Sequence, residues 1–565
     1  MKKVLIILAV LFSSVFAFAA DPTITDPPNF QIIEPVEKVF ALQIDVEKFI
    51  QQLIQPIYTF INSLAEKKED TDLKKNEPLN NQPPNENEYP LPYDPYNNIG
   101  KDPDSDVETP ENNADPYLPS VPPENHPEPD LPIVPVECSG GTGTPTDPIR
   151  VCTPQDLDNV RNNLTAHYIQ IKDIDLAWQN FEPIGTEYDP FMGGYNGNKK
   201  TIKNLKIYKP EARTIGLFST VENGLVENLR IANFEVTGLA VVGGIAGQLI
   251  NGSVSDSMVF SGKVNSINST AGGIAGLAGA QGLASATITR SSSQEVEVSG
   301  TEGGIGGLIG SCEECNISES YVDGGSVKGG SGIGGLVGIL GRSKTQDSYS
   351  NTTVTGDMGG IGGFTGVVNQ ESLIEHSFSK GKVFVSTNSN YASDIGGFAG
   401  ANFGIIKYSF SEAEVYSPDP SSYNIGGLIG GNYDGDDEID NPAQIFDSYA
   451  TGSVTGGIGV GGLVGSNGFG GSAGKGQIFR SYSTGKVSSL RELPQAGGLV
   501  GREFDDSIVE NSYWDMDSSG QKDSFGGEGR TTAQMTSVPR PQNTYVEWDF
   551  VNIWGQDNGS YPFLR

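Results

Sequence analysis

One five-residue phrase, Gly-Gly-apolar-x-Gly, returns nine times, beginning at Gly243, Gly272, Gly306, Gly334, Gly362, Gly396, Gly426, Gly461 and Gly497. The intervals run from 28 to 36 residues, which is the spacing of solenoid repeats rather than of separate domains. A unit that short cannot bury enough apolar surface to offset the entropy of ordering it, so it has to stack on its neighbours and share one core with them. A second phrase returns between the first, as Asp347-Ser-Tyr-Ser350, Asp447-Ser-Tyr-Ala450 and Arg480-Ser-Tyr-Ser483. Runs such as Ser448-Tyr-Ala-Thr-Gly-Ser-Val454 alternate as half-buried strands do, and each repeat is expected to carry two or three of them. The paired glycines permit either a positive φ or a close backbone approach at the corners.

Composition supports the same class. The 565 residues include 74 glycines and only 36 % hydrophobic side chains, which leaves little for a helical core. With 70 acids against 36 bases the formal charge is −34, which repels nucleic acid and anionic membranes. Three histidines, His126, His167 and His376, lie far apart and give no set for a histidine zinc site or a catalytic triad. His126 falls in a polar stretch, His167 at a helix-to-strand junction, and His376 at a repeat position where other coils have Asp or Arg.

The chain divides into four regions. Residues 1–19 combine Lys2 and Lys3 with an apolar run and Ala17-Phe-Ala19, the pattern of a secretory signal cleaved near Ala19. Within 20–68, apolar residues from Val39 to Leu64 recur at three and four, an amphipathic helix that kinks at Pro56. Its face over residues 36–64 suits self-association, docking on another protein, an interface, or packing on the chain's own body, and no segment after the signal has the apolar length of a transmembrane span. Residues 69–137 hold sixteen of the 34 prolines among Asn, Asp and Glu, and are expected to form a disordered, extended linker. Residues 138–565 are the periodic domain, with an N-terminal cap and first coils over 138–240, repeats over 241–511 and a C-terminal cap over 512–565. Thr153-Pro-Gln-Asp156 reads as the capped start of a short closing helix. Trp178 at one end and Trp514, Trp548 and Trp554 at the other suit caps over the open ends of the core.

Cys138, Cys152, Cys312 and Cys315 form two near pairs, and an even count in an exported chain favours disulfides, with connectivity left open. Cys312-Glu-Glu-Cys315 also fits a redox or half-zinc spacing, but no second pair or histidine lies near it in sequence.

These residues resemble the GLUG-repeat proteins, whose Gly-Leu-x-Gly phrase stands here as Gly335-Leu-Val-Gly338 and Gly498-Leu-Val-Gly501. The resemblance covers about residues 145–565 and includes Ile215-Gly-Leu-Phe218, Ser512-Tyr-Trp-Asp515 and Tyr561-Pro-Phe-Leu564. It implies an all-β parallel β-helix, or β-solenoid, of about nine to ten coils with capped ends, on a bacterial or archaeal cell surface and in some members an adhesin. Other members flank secreted metallopeptidases, but the His-Glu-x-x-His helix of those enzymes is absent here.

Candidate chemistry is sparse. The insertion Asp434, Asp436, Asp437, Glu438 and Asp440 could offer several carboxylate oxygens to calcium, although it lacks the order of an EF-hand loop; the plain alternative is a solvated acidic corner. Gly457-Ile-Gly-Val-Gly-Gly462 matches a dinucleotide fingerprint in form only, since it belongs to the repeat. Parallel β-helices can host polysaccharide lyases or hydrolases, but no carboxylate pair singles itself out; candidates such as Asp173/Asp175 and Glu295/Glu297 sit at alternate strand positions on one face, where outward charge is the default. The expected function is an adhesin-like or structural surface protein contacting extracellular polysaccharide or a surface protein, without catalysis or cofactor.

Overall fold

The computed structural model describes residues 138–565 apart from 281, 283–284, 387–390, 435–441, 469–474, 492–494 and 505. The signal, the 36–64 helix and the Pro-rich linker all lie outside the described residues. A representative coil contains Lys344–Gln346, Tyr349–Gly356, Gly359–Gly362 and Thr365–Val368, so a repeat carries four strands rather than two or three. The strands stack into four ladders, here sheets I to IV in that order. Sheet I has 13 strands and sheets III and IV ten each, while sheet II holds the longest strands, such as Arg230–Gly238 and Met258–Ser266. Pairing between coils is parallel, with like positions in register: Tyr321 lies against Tyr349 and Tyr349 against Phe378. The architecture is a parallel β-solenoid.

The glycine phrase is the corner between sheets III and IV, and close approach is what it requires. At Gly334 a Cβ would sit 1.9 Å from the Val337 carbonyl oxygen of its own corner. At Gly335 it would sit 2.0 Å from the carbonyl oxygen of Gly363, the equivalent residue one coil on, and at Gly338 2.4 Å from the Ile305 nitrogen of the coil before. None of the three has a positive φ. The apolar residue between the glycines points into the core: Ile245, Ile274, Leu308, Leu336, Phe364, Phe398, Leu428, Leu463 and Leu499 are all at most 1 % exposed. Such complete burial is worth about 1.5–3 kcal/mol for each side chain.

The N-terminal end is closed by α1 (Pro154–Asp158) and a 3-10 turn over Asn159–Asn162. Thr153 and Asp156 form a capping box, and Leu157 and Val160 plug the core. His167 lies in the following strand against Gly194, where a Cβ would strike its imidazole, so its part is structural. At the other end Trp514 covers Gly498 of the last corner. The remaining tryptophans depart from the expectation of end caps: Trp178 is 44 % exposed, and Trp548 and Trp554 belong to a second cluster on the side of the solenoid.

Candidate functional site

The corner between sheets I and II is built by a different device. In each coil one residue adopts a left-handed conformation, including Asp347 (φ 50°), His376 (φ 48°), Asp447 (φ 44°) and Arg480 (φ 47°), which costs a non-glycine residue roughly 1–2 kcal/mol. From Asp256 onward the next residue is a buried serine, Ser257, Ser291, Ser320, Ser348, Ser377, Ser409, Ser448, Ser481 and Ser512, whereas Leu229 follows Asn228. Each backbone N–H from Ser257 to Ser481 donates to the hydroxyl of the serine one coil on, at 3.2–3.3 Å. The hydroxyls in turn donate to the carbonyl two residues back, as Ser377 does to Glu375 at 2.9 Å. The result is a hydrogen-bonded spine along the stack that supports the left-handed corner. His376 stacks on Tyr408 of the next coil at 5.1 Å and is one member of this column, as its repeat position indicates.

The residue after the serine faces outward and forms an aromatic ladder, Tyr321, Tyr349, Phe378, Phe410, Tyr449 and Tyr482, with centroids 4.8–5.0 Å apart and planes within 12° of parallel. Stacked in this way, the rings occupy one another's faces and offer their edges to the outside. The C-terminal segment lies over the last rungs: Trp554 meets Tyr482 at 6.0 Å and 54°, and Trp548 meets it at 6.1 Å and 39°. Trp554 Nε1 donates to Asp447 at 3.1 Å, and Tyr482 OH donates to the Pro562 carbonyl at 2.6 Å. Thr532, Asp515 and Tyr561 tie the segment down through Thr532 Oγ1 to Asp515 (2.6 Å) and Tyr561 OH to Asp515 (2.5 Å). The sequence motif Asp/Arg-Ser-Tyr carried the signal for both ladders, but hydrogen bonding and stacking between coils are tertiary and could not be read from one repeat.

Outward charges pair across neighbouring coils. Lys263 meets Glu297 at 2.9 Å, Arg290 meets Asp256 at 2.8 Å, and Glu375 lies between Lys344 (2.7 Å) and Lys407 (2.9 Å). Hydrogen bonding from Arg290 holds the Asp256 carboxyl below its ordinary range. Three of the four candidate carboxylates, Asp173, Asp175 and Glu297, are engaged with neighbouring coils in the same way. Asp173 accepts from the Thr201 N–H at 2.9 Å. Asp175 accepts from Asn204 and the Ala177 N–H, both at 2.8 Å, and these bonds lower its pKa. Glu295 and Glu297 alternate in the strand Ser292–Ser299 with Val296 buried between them, and both line one groove with Trp178; the left-handed φ of 51° at Glu295 leaves the register unchanged.

Cys138 is joined to Cys152, with Cα atoms 5.7 Å apart, and Cys312 to Cys315, with Cα atoms 5.9 Å apart. The second pair sits in the core, where Cys312 takes the position of Ala278 and Leu340 in adjacent coils. Of the proposed calcium ligands only Asp434 is among the described residues; Asp436, Asp437, Glu438 and Asp440 lie outside them. Just before that insertion Tyr433 is buried, its hydroxyl donating to Asp394 (2.5 Å) and accepting from Asn424 (2.6 Å). Burial, together with the Asp394 charge, pushes the Tyr433 phenol well above its ordinary pKa. Gly457–Gly462 enters the sheet III strand Ile458–Gly461 and turns into sheet IV, so no helix follows it to receive a nucleotide phosphate.

Residues 421–455 match the family model of the GLUG motif. That stretch is one coil, from the sheet III strand Tyr423–Gly426 through Ser448 to the sheet II strand Val454–Gly456. This coil of the chain carries the GLUG motif, and the matched corner at Gly426 has eight counterparts. Over 445 residues, 75 % of the chain, it is 31 % identical to a protein of Evansella cellulosilytica described as a Gly-rich membrane protein, 45 % of which it covers. Over 157 residues, 25 % of the chain, it is 34 % identical to Halomucin of Haloquadratum walsbyi, covering 2 % of that protein. The chain thus spans less than half the length of the curated relatives it matches. Among solved structures it is loosely similar to a Bacteroides ovatus protein described as an immunoglobulin A1 protease, with TM-score 0.36 and 16 % identity over 75 % of this chain and 94 % of that one. A second structure, described as IgA1 Protease, gives TM-score 0.31 and 14 % identity over 71 % of this chain and 25 % of that one. Among the described residues no helix is long and apolar enough to cross a membrane.

Proposed function

We propose that this chain is a secreted, cell-surface β-solenoid that acts as an adhesin-like binding or structural protein, contacting polysaccharide or protein partners through the outer faces of its coils. The supporting observation is the in-register outer face: like positions recur at the coil spacing of about 4.8 Å, so one kind of contact can be made many times along an extended partner. The carboxylates Asp173, Asp175 and Glu297 are engaged with neighbouring coils, a structural use that weighs against an acid/base pair. The relatives described as a Gly-rich membrane protein and as Halomucin support a surface location. On sequence grounds residues 36–64 serve as the attachment segment, by docking or self-association, and 69–137 as the spacer.

The test incubates the full chain with a panel of polysaccharides and reads both retention and release of reducing or unsaturated ends. Retention without turnover is expected. Turnover abolished by Glu295→Gln or Glu297→Gln would make the protein a polysaccharide lyase or hydrolase instead. Running the panel with and without calcium tests the acidic insertion, since a dependence lost in Asp436→Asn assigns calcium to it.

A further inference from the structure

The outer face of sheet II carries a groove of about 420 Å³ near the N-terminal end of the stack. Its head is Trp178, the indole exposed where the sequence leads one to expect a core cap. The residue is held in place by its backbone, which has a left-handed φ of 59° and an N–H donated to the Asn204 carbonyl at 3.0 Å. Below it, Asn204, Asn233, Ser261 and Glu295 come from four successive coils, each with a left-handed φ of 50–58° at the same register position of sheet II. Because neighbouring coils pair in register, the four residues fall in one line at the coil spacing. Asn204 is engaged with Asp175, but the side chains of Asn233, Ser261 and Glu295 have no hydrogen-bond partner among the described residues. At Gly262 a side chain would point into the core and strike the buried Phe234 ring.

This groove presents one aromatic face followed by an amide, a hydroxyl and a carboxylate in a row, a few placed polar groups beside an apolar surface. We infer that the groove from Trp178 to Glu295 is a binding subsite for an uncharged saccharide chain, with one sugar ring stacked on the Trp178 indole and the hydroxyls of the following rings bonded by Asn233, Ser261 and Glu295. A pyranose ring is about as long as the rise of one coil, so successive sugars meet successive side chains. Acidic saccharides are disfavoured, because Glu235, Glu295 and Glu297 outnumber Lys263, which already bonds Glu297 at 2.9 Å. The inference rests on the binding role proposed above and names its ligand class and place.

Trp178 is also a reporter, since Trp514, Trp548 and Trp554 are buried. The experiment measures acrylamide quenching of the full chain with cellohexaose, mannohexaose, hexagalacturonate or a chitosan hexamer, alongside retention on insoluble polymers. An uncharged hexaose is expected to reduce quenching at least threefold. Asn233→Ala combined with Glu295→Ala should weaken that protection at least tenfold, and Trp178→Ala should lower retention on the matching polymer by a similar factor, whereas Trp178→Phe keeps most of it. Because Trp178 is exposed, circular dichroism of both variants should match the parent. Retention without protection by any hexamer overturns the groove but leaves the binding role standing. Absence of both overturns the two together, and protection only by hexagalacturonate or the chitosan hexamer overturns the choice of an uncharged ligand.

Discussion

Two corners of the same coil solve the same problem by opposite means. Between sheets III and IV the chain turns where side chains are missing: Gly334, Gly335 and Gly338 bring backbone against backbone within the coil and across two neighbours. Between sheets I and II the chain turns where a side chain is present, and each serine hydroxyl serves two backbone groups, one of them in the adjacent coil. The first corner tolerates no added atom, while the second tolerates many residues at its left-handed position, from Asp347 through His376 and Tyr408 to Arg480, with serine following in the coils from Asp256 onward. Variation is therefore concentrated on the serine side, which is also where the C-terminal segment docks, through Trp554 to Asp447 and Trp548 to the Asn511 carbonyl.

The largest effect should come from filling the glycine corner. In Gly397→Val the added Cβ lies 2.1 Å from the Gly427 carbonyl oxygen, which cannot move without shifting the next coil. A loss above about 4 kcal/mol, or no soluble folded protein, is expected in denaturant titration. A loss under about 1 kcal/mol would show that the corner relaxes and that the glycines have another reason. Next is Trp554→Ala, which removes a fully buried ring and should cost about 3–5 kcal/mol locally. Amide exchange should accelerate around Phe410, Tyr449 and Tyr482 and stay unchanged around Val236 and Val264, whereas a uniform change would mean that the segment supports the whole stack.

Ser377→Ala leaves the Ser348 N–H and the Glu375 carbonyl without their partner, so a loss of about 1–3 kcal/mol is expected, clearly less than at the glycine corner. Equal losses at the two corners would erase the distinction between them. The smallest effect concerns Glu503, at the end of the buried column Asn402, Asn432 and Asn467. Burial pushes its carboxyl above the ordinary range, with Asn467 opposing in part. A group raised in the fold contributes fully below its unfolded pKa and loses that contribution as pH rises through the folded value. Glu503→Gln should therefore raise Tm modestly at pH 7 and leave it unchanged near pH 3.5, and a lowered Tm at pH 7 would mean that the carboxylate is stabilised by a partner.

The glycine corner was legible because its determinant, the absence of a Cβ, is written in every repeat, and the buried Leu, Ile or Phe between the glycines is written beside it. The serine corner was half legible: three copies of the Ser-Tyr phrase are plain in the chain, yet their bond partners lie 28 to 39 residues away in the next coil. The tryptophans were the least legible. A residue near a chain end looks like a cap whether it covers the end or the side, and Trp178, Trp548 and Trp554 differ only in where the backbone carries them.

The sequence by itself determined the repeat, the parallel stacking of coils, the closing helix begun by Thr153 and the apolar line of the core, because each depends on residues close together in the chain. Only the tertiary structure decided the serine spine, the aromatic ladder under Trp554 and the groove headed by Trp178. These depend on register between coils, which is set by the summed lengths of the intervening loops and by hydrogen bonds that form only once neighbouring coils are in contact.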